Sequence, residues 1–136
     1  MRISFLIPRK AVGVNEAYLR AGWNSNRGSG GGTGLILSPA GRAFKECAAA
    51  YALVAAKRAD WPAPSTVKRV FVTLQAWNSR HDIDSCIKLT LDAFQGILYV
   101  KDSAVRRLLI EEPGKDDGPP RVEVSVEVMP ARGLGI

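Results

Sequence analysis

The hydrophobic period of this chain changes from two to about 3.6 and back to two, and that alternation restricts its fold more than any other feature. Val67 to Trp77 reads as a strand carrying Val67, Val70, Val72, Leu74 and Ala76. From Asp84 to Gln95 the apolar residues Ile87, Leu91 and Phe94 fall on one helical stripe, widened by Cys86, Leu89 and Ala93, with Gly96 placed to end the helix. Val105 to Glu111 and Val122 to Val128 return to strand character, the latter alternating at Val122, Val124, Val126 and Val128. With an opening strand at Arg2 to Ile7, this mixture predicts an α+β fold.

A second helix is predicted upstream. Ser38 can cap its free N–H groups, Pro39 suits the first helical position, and Ala-rich sequence continues to about Ala59, where Asp60-Trp61-Pro62-Ala63-Pro64 stops it. Phe44, Cys47, Tyr51 and Val54 recur at helical spacing and are expected to face the core. Gly114 to Pro120 reads as a hairpin-like loop before the last strand. The glycines of Gly28 to Gly34 place a flexible loop at residues 24–34, but the run follows Trp23-Asn24-Ser25-Asn26-Arg27 instead of joining a strand to a helix. It therefore lacks the context of a phosphate-cradling loop, so no nucleotide cofactor is expected; an inert surface loop and a flap closing over DNA both remain open.

The 136 residues, 46% hydrophobic and 24% charged, suit one domain spanning residues 1–136. Lys and Arg exceed Asp and Glu by 19 to 13, a net charge of +6, and a field of that sign favours phosphate-rich partners. Cys47 and Cys86 lie far apart without metal-ligand spacing, so reduced thiols are expected. The apolar run from Ile3 to Ile7 is too short for a signal-peptide core or a membrane span, and the Ala-dominated Cys47 to Ala56 segment reads as a packed helix. The expectation is a cytoplasmic protein with no membrane partner.

Asp82-Ile83-Asp84, Lys88 and Asp102 carry the chemistry. Hard divalent cations take carboxylate oxygens, water and substrate phosphates, so an acidic cluster in a basic protein points to metal-assisted hydrolysis of a polyanion. Phosphodiester hydrolysis needs an activated water and neutralisation of the charge gathering on phosphorus, and Mg²⁺ on Asp82, Asp84 and Asp102 meets both needs. Lys88, four residues after Asp84, is expected one helical turn away on the same face, where it can orient water or stabilise the transition state. The plain alternative is an ordinary Asp84 to Lys88 surface pair.

The run from Arg80 to Phe94, with Gly96 to Asp102 after it, resembles the signature of the RusA family of Holliday-junction resolvases. Val14-Asn15-Glu16-Ala17-Tyr18 is similar to that family's Asn-containing loop, and Leu37 to Phe44 to its Ser-x-x-Gly helix start. The resemblance covers about Ile3 to Val128. It implies a small mixed sheet packed with two main helices in a homodimeric, Mg²⁺-dependent endonuclease, with Mn²⁺ able to substitute, that cuts four-way DNA junctions by paired symmetric incisions. Such enzymes are common in bacteria, phages and prophages. By position, the resemblance implies Asp82, Asp84 and Asp102 as metal-binding carboxylates and Lys88 as the catalytic lysine; Asp92 also falls on a motif position, without an assigned role. The chain departs from the family pattern in having Lys101-Asp102 where an acidic pair is common, a stretch about one residue short between Lys88 and Asp102, and a long Trp23 to Gly34 insertion.

Arg80 and Asn15 are candidate phosphate contacts, each with a plain alternative as surface charge or loop cap. Arg27 and Lys101 complete the candidate DNA-binding set, and Trp23, beside Asn24 and Arg27, is the best base-stacking candidate. Trp61 and Trp77 are expected to anchor core or loops. His81 stands beside Asp82 but is given no catalytic role, because metal-dependent nucleases often use the ion itself. Two rival classes remain: a branched-DNA binder that does not cut, and a metal-dependent ribonuclease.

Overall fold

A computed structural model describes residues 1–12, 17–20, 35–79 and 86–130. In chain order its elements are β1 (Arg2–Ile7), β2 (Tyr18–Arg20), β3 (Leu35–Leu37), α1 (Pro39–Arg58), β4 (Val70–Trp77), α2 (Ile87–Ala93), β5 (Val105–Glu111) and β6 (Arg121–Val128). Short 3₁₀ turns at Pro64–Thr66 and Asp102–Ala104 precede β4 and β5. The main sheet has the order β1-β6-β4-β5: β6 runs antiparallel to both neighbours, and β5 runs parallel to β4. The sheet is therefore mixed and the fold α+β, as expected.

Strand pleating explains its two faces. Ile3 and Ile7 of β1, Val122, Val124 and Val126 of β6, and Val70, Val72, Leu74 and Ala76 of β4 are buried. Their neighbours Arg2, Ser4, Glu123, Ser125, Thr73 and Gln75 project to the opposite, wetter face, where Gln75 bonds Glu111 and Arg2 bonds Ser125. Helix α1 packs against β1 and α2. Phe5 meets Phe94 edge-on at 5.6 Å, joining sheet to α2. The described strand β4 begins at Val70, after the Pro64–Thr66 turn, later than the expected Val67.

Two expectations are corrected, and one feature is new. The buried stripe of α1 is Gly41, Phe44, Ala48, Ala52 and Ala56, whereas Tyr51 and Val54 are 45% and 46% exposed and Cys47 is half-buried. Small side chains let the helix axis approach closely, so its bulkier residues turn to the flank beside the free edge of β1. Gly114 to Pro120 does not close a hairpin, because β4 lies between β5 and β6. The two-stranded antiparallel ribbon of β2 and β3, with Tyr18 opposite Leu37, was not foreseen; three-residue strands are too short to show a period.

The Ser-x-x-Gly start of α1 has a geometric cause. Ser38 Oγ accepts the Gly41 N–H at 3.0 Å, and the Ser38 N–H donates to the Ala17 carbonyl at 2.7 Å. A Cβ on Gly41 would run into that same carbonyl and come within 3.0 Å of the Ala17 Cα. In an open helix Gly→Ala gains about 1 kcal/mol. Here Gly41→Ala is expected to lower stability by about 1–3 kcal/mol, read as a lower denaturant midpoint, because backbone must move to admit the methyl.

Candidate active site

Because β4 and β5 run parallel, the chain leaving Trp77 must return the length of β4, roughly 25 Å at about 3.3 Å per residue, before β5 can start. Residues 78–104 make that return, and the candidate residues Arg80, Asp82, Asp84, Lys88, Lys101 and Asp102 all lie on it. At its start, Asn78 has a left-handed backbone (φ 55°) and is clamped by Asp116: its Nδ2 donates to Asp116 Oδ1 at 3.0 Å and its Oδ1 accepts the Asp116 N–H. Arg121 grips the same carboxylate at 2.7 Å and stacks over Trp77 at 4.7 Å. Arg121 and Asn78 hold the Asp116 carboxyl well below the usual range. Trp77 Nε1 donates to Glu123, and Trp61 Nε1 to the Leu98 carbonyl, both at 3.0 Å, so these two tryptophans anchor loops and strands as expected.

Helix α2 occupies the middle of the return. It begins at Ile87, with Cys86 at the N-cap position, and buries Leu89, Leu91 and Ala93. Gly96 (φ 83°) follows its end as anticipated, and its N–H reaches the Tyr99 carbonyl at 2.7 Å. Lys88 is exposed on this helix, and its Nζ lies 3.2 Å from Asp92 Oδ2, one turn on. Gln95 Nε2 donates to the other oxygen of Asp92 at 2.9 Å. The described helical partner of Lys88 at a spacing of four is thus Asp92, and the helix as described does not include Asp84.

Tyr99 ties the end of the return to the helix. Fully buried, its hydroxyl donates to the Leu91 carbonyl at 2.8 Å. Burial raises its pKa, and the carboxylates of Asp102 first and Asp92 second raise it further, which places both acids within electrostatic reach of one hydroxyl. Asp102 opens the 3₁₀ turn before β5, where its carbonyl accepts the Val105 N–H, and its exposed carboxylate has no hydrogen bond or ion pair to another described residue. Lys101 beside it is exposed as well.

The structure therefore bonds Lys88 to Asp92 and sets Asp92 and Asp102 within electrostatic reach of Tyr99. Asn15, Arg27, Arg80, His81, Asp82, Asp84, Trp23 and residues 24–34 lie outside the described residues. Among the described residues no three His, Cys, Asp or Glu side chains converge on one point. Asp92, left without a role by the sequence, proves to be the residue that holds Lys88; the spacings Lys88 to Asp92 and Asp92 to Gln95 were the available signal. Among the described residues Cys86, buried, and Cys47, half-buried, form no disulfide. No helix of the described chain is long and apolar enough to cross a membrane.

Fold, net charge and this grouping of acids with an ammonium define a small basic α+β protein suited to a polyanion. The family model of the RusA endodeoxyribonucleases matches residues 19–127, and the chain belongs to that family. It is accordingly an endodeoxyribonuclease of the Holliday-junction resolvase class, a hydrolase. Among curated proteins no sequence matches it.

Tyr99 supplies a stability test. A tyrosine whose pKa is raised on folding contributes stability that is present below its unfolded value of about 10 and is lost as pH rises above it, because the unfolded chain then releases a proton that the folded one retains. Urea unfolding between pH 8 and pH 11 should show Tyr99→Phe losing less stability than the wild type across that window. Parallel losses would show that the buried hydroxyl is not responsible.

Proposed function

We propose that this chain is a Mg²⁺-dependent, structure-specific endonuclease that resolves four-way DNA junctions by paired symmetric incisions, acting as a homodimer of a single domain spanning residues 1–136. The family match carries this reading, and the grouping of Lys88, Asp92 and Asp102 supports it. Resolution needs two cuts in opposing strands, and one acidic cluster per chain supplies one cut, so a two-fold pair is the simplest active species.

Asp82, Asp84 and Asp102 are assigned as the ligands. All are carboxylates, the hard oxygen donors that Mg²⁺ takes, and Asp102 keeps its oxygens open among the described residues, so the donor set fits the ion. Bound there, the cation supplies Lewis acidity and charge neutralisation to the phosphodiester. Lys88 places an ammonium beside the reacting phosphate and offsets the negative charge that gathers on it when water attacks. Asp92 acts as a positioning residue, because an (i, i+4) bond to Lys88, with Gln95 fixing its second oxygen, limits where that ammonium travels. Arg80, Asn15, Arg27 and Lys101 are assigned to the DNA backbone, where contacts position the duplex without reading its sequence.

Incubation with a synthetic mobile junction and Mg²⁺ should give symmetric nicks in opposing strands, with Mn²⁺ able to replace Mg²⁺. Structured RNA cut in preference to the junction, or junction binding without nicks, would point to the rival classes. Sedimentation should show a dimer at working concentration.

Asp82→Asn, Asp84→Asn and Asp102→Asn should each abolish cutting while keeping junction binding, because each removes a ligand together with charge that repels DNA. Wild-type rates in any one variant would remove that residue from the site.

Lys88→Ala should slow single-turnover cleavage by roughly ten-fold or more, about 1.4 kcal/mol in the barrier. Junction affinity in Ca²⁺ should change far less. Asp92→Asn should slow the same step by a smaller factor, since the ammonium stays but is less well held. Weaker binding with a normal saturated rate in Lys88→Ala would make Lys88 a phosphate contact.

A further inference from the structure

A cleft of about 390 Å³ opens beside Asp102, between the turn that leads into β4 and the turn that leads into β5. Its polar lining comes from Ser65, Lys68, Lys101, Ser103 and Arg106, around the exposed Val100, and no acid among the described residues lines it. Lys68, Lys101 and Arg106 are all exposed, so their charges sit in water while their stems form the walls. The opposite end of the same strands carries contrary charge. There Glu111 and Glu123 flank Gln75 across the sheet, Asp116 is fastened to Asn78, and Glu112 and Asp117 lie in the same connection, five acids against the two described cations Arg121 and Lys115. A polyanion is drawn to the end where β4 and β5 begin and repelled from the end where they finish.

We infer that the Lys68–Arg106 cleft binds the sugar-phosphate backbone of DNA flanking the bond cut at Asp102. The inference rests on the proposed nuclease reading and extends it to residues outside the catalytic set. The occupant is backbone, because the lining offers ammonium, guanidinium and hydroxyl donors and no aromatic face on which a base stacks. Lys68 stands two residues before β4, and Arg106 is the second residue of β5, which pairs with β4, so the backbone positions of the two cations are set by the sheet. A flexible strand leaving Asp102 therefore meets a fixed pair of charges.

The test measures junction affinity by fluorescence anisotropy in Ca²⁺ across a salt series, for the wild type, Lys68→Ala/Arg106→Ala, the charge-keeping Lys68→Arg/Arg106→Lys, and the control Lys57→Ala/Lys115→Ala on other exposed sites. Thermal unfolding of each confirms the fold. Loss of two phosphate contacts should reduce the slope of log affinity against log salt by about 1.8 and weaken binding by about ten-fold or more. The loss should be similar on junction and linear duplex. The charge-keeping pair should restore the slope, the control should match wild type, and the single-turnover rate in Mg²⁺ at saturating protein should stay within about two-fold, since neither residue touches the reacting atoms. An unchanged slope in a folded double variant overturns the inference while wild-type cleavage leaves the nuclease reading intact. A slope change equal in the control also overturns it, as it would then report net charge alone. If the wild type binds DNA without cutting it, the nuclease reading fails and the slope comparison still decides the cleft; a wild type that binds no DNA defeats both.

Discussion

Parallel pairing of β4 with β5 is the constraint from which the rest of the architecture follows. Antiparallel neighbours can be joined by a tight turn, but parallel ones require the chain to travel back before pairing again. The return contains α2, and α2 must bury its apolar stripe. It does so by packing against α1 and by placing Phe94 against Phe5 of the edge strand, so the crossover becomes part of the core. The same journey sets the polar chemistry: Lys88 and Asp92 ride on the outer face of a helix whose inner face is fixed, and Asp102 appears where the chain re-enters the sheet. Tyr99 joins the two, its ring filling the core and its hydroxyl bonded to the helix backbone.

Close approach is the second requirement. The alanines of α1 bring helix to sheet with little side-chain bulk between them, and Gly41 lets the first turn sit against Ala17. This geometry leaves Tyr51 and Val54 on the flank, lining a groove with Arg2, Phe5, Leu6 and Arg58 along the free edge of β1. At the other edge, Arg106 and Arg107 put charge at the start of β5, before the apolar Leu108 to Ile110, and Arg107 lies 4.6 Å over the Phe71 ring. Charged side chains of this kind discourage edge-to-edge pairing.

Elements with a repeating pattern or a clear start signal were legible: β1, β4, β5, β6 and α2 were anticipated from their apolar pattern and α1 from its Ser38-Pro39 start and Ala-rich run, with ends shifted by a few residues. Pairing order was not. Nothing in the alternation of Val122 to Val128 says that β6 inserts between β1 and β4, because a strand buried on one face has the same pattern whichever neighbour it takes. The α1 core face was misread for a related reason: Phe, Cys, Tyr and Val were weighted by hydrophobicity, whereas close packing selected the smallest residues. At the site, the bond from Lys88 to Asp92 was not anticipated, although the (i, i+4) spacing was available; the partner the sequence suggested, Asp84, lies outside the described residues.

The bond between Lys88 and Asp92 bears on the proposed mechanism. Asp92 has each of its oxygens engaged, one by Lys88 and one by Gln95, and its side chain is only 19% exposed. Asp102 is exposed and has neither kind of engagement among the described residues. A carboxylate already accepting two donors surrenders both bonds if it turns to a cation, whereas an open one loses only water. Two acids within reach of the same tyrosine are thereby suited to different work in the proposed mechanism: Asp102 to take a metal ion, and Asp92 to hold the Lys88 ammonium. A lysine so held brings positive charge to the site on a restricted stem, so less of its freedom remains to be lost when the substrate arrives.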